Sequence, residues 1–330
     1  MARFVTNDTR LAENARVIRQ SLNQALRGQG DLFENALAGR DSDTDVGRTF
    51  EAGRHRSLVD VCRANARRAE ESIRVLEESL RSINPEASKP LCDLRYRTYT
   101  LEKELAEALG PYDIARRLDF SLYVVLGREQ SRGRDFLEVT RAAIEGGAGA
   151  IQLRDKEMNK RELLDWAYRL RDLTGEYGVT FIINDHIDIA LASCADGVHL
   201  GQTDFPIPEA RRILGPTRII GASTHSLEEA LKAEKEGASY INVGPVFPTD
   251  TKEDAHAPVG PELLGKVLTE VSVPVTTMGG IDSSNIDSVL VQGAERVAVV
   301  SAVVGAENVR RAAEALKEKI EDAKARRSTP

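Results

Sequence analysis

From about Arg117 onward, short apolar runs alternate with amphipathic helical stretches. The runs are SLYVVL (121–126), AIQLR (150–154), TFIIN (180–184), DGVHL (196–200), RIIGAS (218–223), YINVG (240–244), VPVTTM (273–278) and RVAVV (296–300). Most lack strict apolar–polar alternation, as expected of parallel strands covered on both faces. Stretches such as RELLDWAYRLRDLTGEYG and LEEALKAEKEG lie between them and read as helices. Eight strand–helix units in roughly 210 residues predict an α/β chain closed into a (β/α)8 TIM barrel. A doubly wound open sheet is the competing fold, and no GxGxxG follows the first run to favour it.

Residues 1–115 predict helix only. Thr9 to Arg27 is polar and helical, GQG at 28–30 breaks it, and RDSDTDVGR at 40–48 predicts a loop. Cys62, Ala66, Ala69, Ile73, Leu76, Leu80 and Ile83 recur at alternating steps of four and three, one apolar stripe along a helix that Pro85 should end. A second helix spans about Ser88 to Leu109, and GPYD at 110–113 reads as a linker. The expected organisation is an all-helical N-terminal domain, 1–115, followed by the barrel, 116–330.

Composition narrows the function. A formal net charge of −7 argues against general nucleic-acid or membrane-surface binding, while leaving small anions open to a local cluster of cations. Three scattered cysteines, Cys62, Cys92 and Cys194, fit a reducing compartment better than a disulfide framework, and no pair has metal-ligand spacing. With no signal-like N-terminus and no run of about 18 apolar residues, the expectation is a cytoplasmic globular protein, with a homo-oligomer possible.

In a parallel barrel the chemistry lies where strands end. Seven of the eight predicted strand ends carry unusual polar or glycine residues: Gln152, Arg154 and Lys156; Asn184 and Asp185; GQTD ending at Asp204; Ser223 with Thr224 and His225; GPVFPTDTK at 244–252; Gly279 and Gly280; and Ser301. Arg154, Lys156 and Lys252, with Asn184 and Ser223 as neutral donors, suit a pyrophosphate-like anion. Asp185 and Asp204 could share a Mg2+, which takes one or two carboxylates plus phosphate oxygens. Thr249, Thr251, Gly280 and Ser301 suit a second phosphate near the last strands. The competing readings are structural. Asp185 could cap HIDIALA, Asp204 could start a turn before Pro206, Arg154 could pair with Asp155, and Gly279–Gly280 could be a tight turn. His199 reads as packed inside a strand, His225 as catalytic or a cap, and His186 and His256 as surface residues.

QLRDK (152–156), IIND (182–185), HLGQTD (199–204), GAST (221–224), GPVFPTDTK (244–252), MGGI (278–281) and VS (300–301) resemble, in order and spacing, the thiamine-phosphate synthase family over about 118–325. The resemblance implies a (β/α)8 barrel that joins 4-amino-2-methyl-5-hydroxymethylpyrimidine diphosphate to a thiazole phosphate and releases pyrophosphate. By position it implies that Gln152, Leu153, Arg154, Asp155, Lys156 and Asn184 hold the pyrimidine diphosphate and that Asp185 and Asp204 ligate Mg2+. It further implies that Ser223 and Lys252 contact the pyrimidine and leaving pyrophosphate. Thr249, Asp250, Thr251, Gly280, Val300 and Ser301 would bind the thiazole phosphate. Arg154, Lys156, Lys252 and Ser223 are the expected catalytic residues. One departure is LGRE after the first strand, where the family usually has a threonine or similar polar residue.

NARRAEESIRVLEE (65–78) and DLRYRTYTLEKEL (93–105) resemble a small helical domain fused ahead of such barrels in some bacteria and associated with pyrimidine-phosphate processing. A packing or dimerisation module is the alternative, since Arg68, Glu71 and Arg74 also read as an exposed charge ladder. A kinase-like activity there would lack any Walker-type glycine loop. Two further readings of the whole are a thiazole tautomerase of the same superfamily, using an acid/base such as His225, and a non-catalytic phosphate-ligand sensor.

Overall fold

The computed structural model of the chain describes residues 7–27, 57–249 and 257–328. It divides into two compact units, 1–113 and 114–330.

The first unit is built from α1 (Thr9–Arg27), α2 (Leu58–Ile83) and α3 (Pro85–Arg117). The start of α2 is capped twice. Ser57 Oγ accepts the Asp60 N–H at 3.0 Å, and the buried Asp113 carboxylate of α3 accepts the N–H groups of Leu58 and Val59 at 3.2 and 3.0 Å. That second cap explains why GPYD is helical and not the expected linker: Asp113 is committed to α2. Pro111 deletes only the bond to the carbonyl of Glu107, an exposed residue whose carbonyl water can serve.

The predicted stripe on α2 holds at Cys62, Ile73 and Leu80, which are buried, but Ala69 is exposed and Ile83 is 61% exposed. A seven-residue repeat drifts by about 20° per heptad on a straight helix, so its members do not all stay on the buried face. The buried face instead includes Glu77, 2% exposed, which accepts from Arg95 Nε of α3 at 2.9 Å and pairs with Arg81. Burial alone would raise its carboxyl pKa; the hydrogen bond and charge of Arg95, with Arg81, outweigh this and hold it below the usual range.

The second unit is a closed barrel of eight parallel strands in sequence order: β1 (Leu122–Leu126), β2 (Ala150–Leu153), β3 (Thr180–Asn184), β4 (Gly197–Leu200), β5 (Ile219–Thr224), β6 (Tyr240–Val243), β7 (Val275–Thr277) and β8 (Val297–Val299). β1 closes on β8 with Leu122 opposite Val297 and Val124 opposite Val299. Each strand lies within its predicted run or extends it by one residue.

Alternate residues separate two layers. Val124, Ile151, Leu153, Ile183, Val198, Leu200, Ile220 and Ile241 join the core shared with the surrounding helices. Tyr123, Ala150, Ile182, Ile219, Tyr240 and Ala298 form a second apolar cluster, inside the barrel. Below it, Asp196, just before β4, accepts from Arg171 Nη1 at 2.7 Å and the Phe181 N–H at 2.8 Å and pairs with Arg117, tying that rim together. Among the described residues, no helix is long and apolar enough to cross a membrane.

Candidate active site

The same alternation carries Val125, Gln152, Arg154, Asn184, His199, Ser223, Asn242, Met278, Ala298 and Val300 to the carboxyl-terminal mouth of the barrel, where they line one cavity of about 420 Å³. Lys156, Asp185, Asp204, Thr249, Gly280 and Ser301, all expected at the site, line it too.

Asp185 and Asp204 face one another. The Asp185 carboxyl pKa is pushed up to about 7, first by burial and then by the hydrogen bond and charge of Asp204, with Arg154 and Lys156 pulling the other way. Asp185 does not cap the following helix Ile187–Ala192, which begins at His186 with no side-chain bond. Its backbone is left-handed, φ 59°, and its N–H donates to the carbonyl of His199 at 2.9 Å. Asp204 does make a turn bond, accepting the Gly201 N–H at 2.7 Å through one oxygen. Two carboxylates that resist joint ionisation, beside cations, suit a divalent ion. Among the described residues no third acid, histidine or cysteine completes a metal cluster, so further ligands would come from phosphate oxygens and water, the usual habit of Mg2+.

The glycines after β7 serve packing as well as turning. Gly279 and Gly280 have φ of 103° and 64°, and a Cβ on them would lie 2.4 Å from Pro245 Cα and 2.4 Å from the Pro248 carbonyl oxygen. The β7 loop is thereby pressed against residues 245–248, the segment leading into Thr249.

Two residues of the QLRDK motif have their side chains employed elsewhere. Leu153 is buried in the outer core. Asp155 holds its own loop, accepting the N–H groups of Glu157 and Met158 at 3.0 and 2.9 Å and that of Arg128 at 2.9 Å. Arg128 belongs to the divergent LGRE, so that stretch serves the β2 loop, while the wall next to β1 comes from Val125. Asp250, Thr251, Lys252 and His256 lie outside the described residues, as do GQG and RDSDTDVGR.

His199 is packed inside its strand, as expected, but it also reaches the cavity. It is 4% exposed, yet its ring spans two hydroxyls, Nδ1 lying 2.8 Å from Tyr240 Oη and Nε2 lying 2.8 Å from Ser223 Oγ. Asn242, also unforeseen, accepts from Thr276 Oγ1 at 3.0 Å. Both sit mid-strand at inward positions, and a polar residue in an otherwise apolar strand was the available signal. His225 lines the cavity with Nδ1 against the carbonyl of Gly244; the helix after it is capped by Ser226, so His225 is not the cap. On α2, Arg68 bonds Asn65 and Arg74 bonds Glu78, local pairs on an exposed face in place of the expected ladder through Glu71.

An acidic pair, adjoining cations and close-packed glycines at the carboxyl ends of parallel strands define a (β/α)8 barrel enzyme of phosphorylated substrates. Residues 122–303 match the family model described as thiamine monophosphate synthase, and residues 1–104 match the ThiD2 family. Thiamine-phosphate synthase of Shouchella clausii is 49% identical over 204 residues, covering 62% of this chain and 98% of that protein. That of Synechocystis sp. is 40% identical over 309 residues, covering 93% of this chain and 86% of its own. The solved thiamine phosphate pyrophosphorylase from Pyrococcus furiosus is 45% identical with a TM-score of 0.58, covering 63% of this chain and 98% of that one. The chain belongs to the thiamine monophosphate synthase family, with a ThiD2 helical domain ahead of the barrel.

Proposed function

We propose that the cavity joins 4-amino-2-methyl-5-hydroxymethylpyrimidine diphosphate to 4-methyl-5-(2-phosphoethyl)thiazole, or its carboxylated form, giving thiamine phosphate and pyrophosphate. The observation that carries this reading is the facing of Asp185 and Asp204 beside Arg154 and Lys156 in one cavity. Asp185 and Asp204 would hold Mg2+, which when bound supplies positive charge to the diphosphate oxygens.

Arg154 and Lys156, with Lys252, are assigned to the diphosphate and stabilise its charge as the CH2–O bond breaks and the electron pair leaves with pyrophosphate. Gln152, Asn184 and Ser223 are assigned to the pyrimidine diphosphate, holding the ring so that its amino group can feed electrons to the cationic CH2. Thr249, Gly280, Val300 and Ser301, with Asp250 and Thr251, are assigned to the thiazole phosphate, placing the thiazole nitrogen to attack that carbon. Leu153 and Asp155 support the loop, through core packing and backbone bonds respectively. Catalysis is assigned to the barrel, 116–330.

The test is pyrophosphate release by the full chain given both substrates and Mg2+. Release that requires both substrates supports the synthase. No release, with isomerisation of the thiazole phosphate alone, would mean a tautomerase, and binding without turnover would mean a sensor.

A further inference from the structure

At the base of the cavity, five polar side chains from different strands form one hydrogen-bonded row, in which Gln152 also bonds Tyr240. Gln152 Nε2 donates to Tyr123 Oη at 2.8 Å, Tyr123 Oη is 3.1 Å from Tyr240 Oη, Tyr240 Oη is 2.8 Å from His199 Nδ1, and His199 Nε2 is 2.8 Å from Ser223 Oγ. Tyr123 and Tyr240 are 0% exposed, so water does not complete their bonding. Gly221 makes room for this line: a Cβ there would lie 2.1 Å from the Tyr240 ring.

The hydrogens in such a line have a direction. An amide nitrogen only donates, so the Tyr123 oxygen accepts from Gln152. Tyr123 has one hydrogen to place, and its remaining partner is the Tyr240 oxygen. Tyr240, having accepted, places its own hydrogen on His199 Nδ1. Any reversal at the His199 end would strand one buried hydroxyl hydrogen without an acceptor, which is costly in a dry core.

We propose that this line fixes His199 as the neutral tautomer with its hydrogen on Nε2, so that His199 donates to Ser223 and the Ser223 hydroxyl hydrogen is turned into the cavity. His199 is then a positioning residue. It makes Ser223 a donor to an acceptor atom of the substrate, a phosphate oxygen or ring nitrogen, and bars the serine from giving its proton to the imidazole. Tyr123 and Tyr240 transmit the direction set by Gln152. The tautomer stands on geometry alone, whereas the role of Ser223 toward substrate rests on the synthase reading.

The experiment is proton–nitrogen correlation NMR of the full, substrate-free chain labelled with 15N-histidine, the His199 signals being identified by their loss in His199→Asn. The expected result is the Nε2–H tautomer; an Nδ1–H tautomer, or an even mixture, overturns the proposal. In Tyr240→Phe the hydrogen bond to Nδ1 is lost, so both tautomers should appear. With it, kcat/KM for the pyrimidine diphosphate should fall about five- to tenfold while KM for the thiazole phosphate stays unchanged. A Tyr240→Phe spectrum identical to that of the unaltered chain would also overturn it. Should Tyr240→Phe not fold, the tautomer of the unaltered chain still decides. Absence of pyrophosphate release by the unaltered chain would refute the synthase reading and leave the tautomer result standing.

Discussion

Gly280 and Gly178 offer a controlled comparison. Their φ values are 64° and 70°, so replacing either with alanine carries a similar backbone penalty of about 1 kcal/mol. They differ in surroundings. Nothing lies within 4 Å of a Cβ built at Gly178, the C-cap of the helix Lys160–Tyr177, whereas at Gly280 the Pro248 carbonyl oxygen lies at 2.4 Å and Phe247 Cβ at 2.9 Å. An added methyl at Gly280 must therefore move backbone, at a further cost of about 1–3 kcal/mol. For a domain of this size each kcal/mol lowers Tm by about 2–4 °C, so Gly178→Ala should lose a few degrees and Gly280→Ala roughly twice that or more. Calorimetry of the two full-length variants measures the difference. Because the displaced residues lead into Thr249, Gly280→Ala should also raise KM for the thiazole phosphate at least several-fold, with Gly178→Ala unchanged. Equal Tm losses together with identical Michaelis constants would refute the claim that contact between the β6 and β7 loops, in addition to turn geometry, requires glycine here.

Further outcomes can be checked separately. Asp185→Asn should cut pyrophosphate release more than about a hundredfold with little change in Tm, and chelation of the unaltered enzyme should abolish release until Mg2+ is restored. Glu77→Gln should destabilise the helical unit by about 2 kcal/mol at pH 7 by weakening charged hydrogen bonds to Arg95 and Arg81. Since the folded carboxyl pKa is depressed, the contribution of Glu77 is present above its unfolded value and lost as pH falls through the lower folded one. Denaturant titrations of both proteins should accordingly begin to converge as pH falls below about 4. Asp196→Ala should cost about 3–5 kcal/mol by removing the buried carboxylate that accepts from Arg171 and the Phe181 N–H, while the Michaelis constants of the folded fraction stay the same.

The barrel was legible because each parallel strand is buried on both faces, so runs such as TFIIN and YINV stand out from the helices between them. The mouth was legible because Arg154, Asp185 and Ser223 fall where those runs stop. Less visible was the inward layer: a strand of a parallel barrel gives no apolar–polar alternation to say which residues face the axis, so the bond from packed His199 to Ser223 could not be foreseen. GPYD was misread for another reason. Proline and glycine together signal a break locally, but a capping bond from Asp113 to residues more than fifty positions earlier keeps the helix going. Nor could the sequence show that Asp155 would be taken up by the backbone of its own loop.

The left-handed backbone at Asp185 has an evolutionary consequence. Among side chains, asparagine tolerates that conformation about as readily as aspartate, and glycine more so, while most others are strained there. A lineage relieved of selection for turnover would therefore drift most easily to asparagine at this position, keeping the shape of the loop while surrendering its charge. A descendant with asparagine at position 185 would pass for a relative by its outline alone.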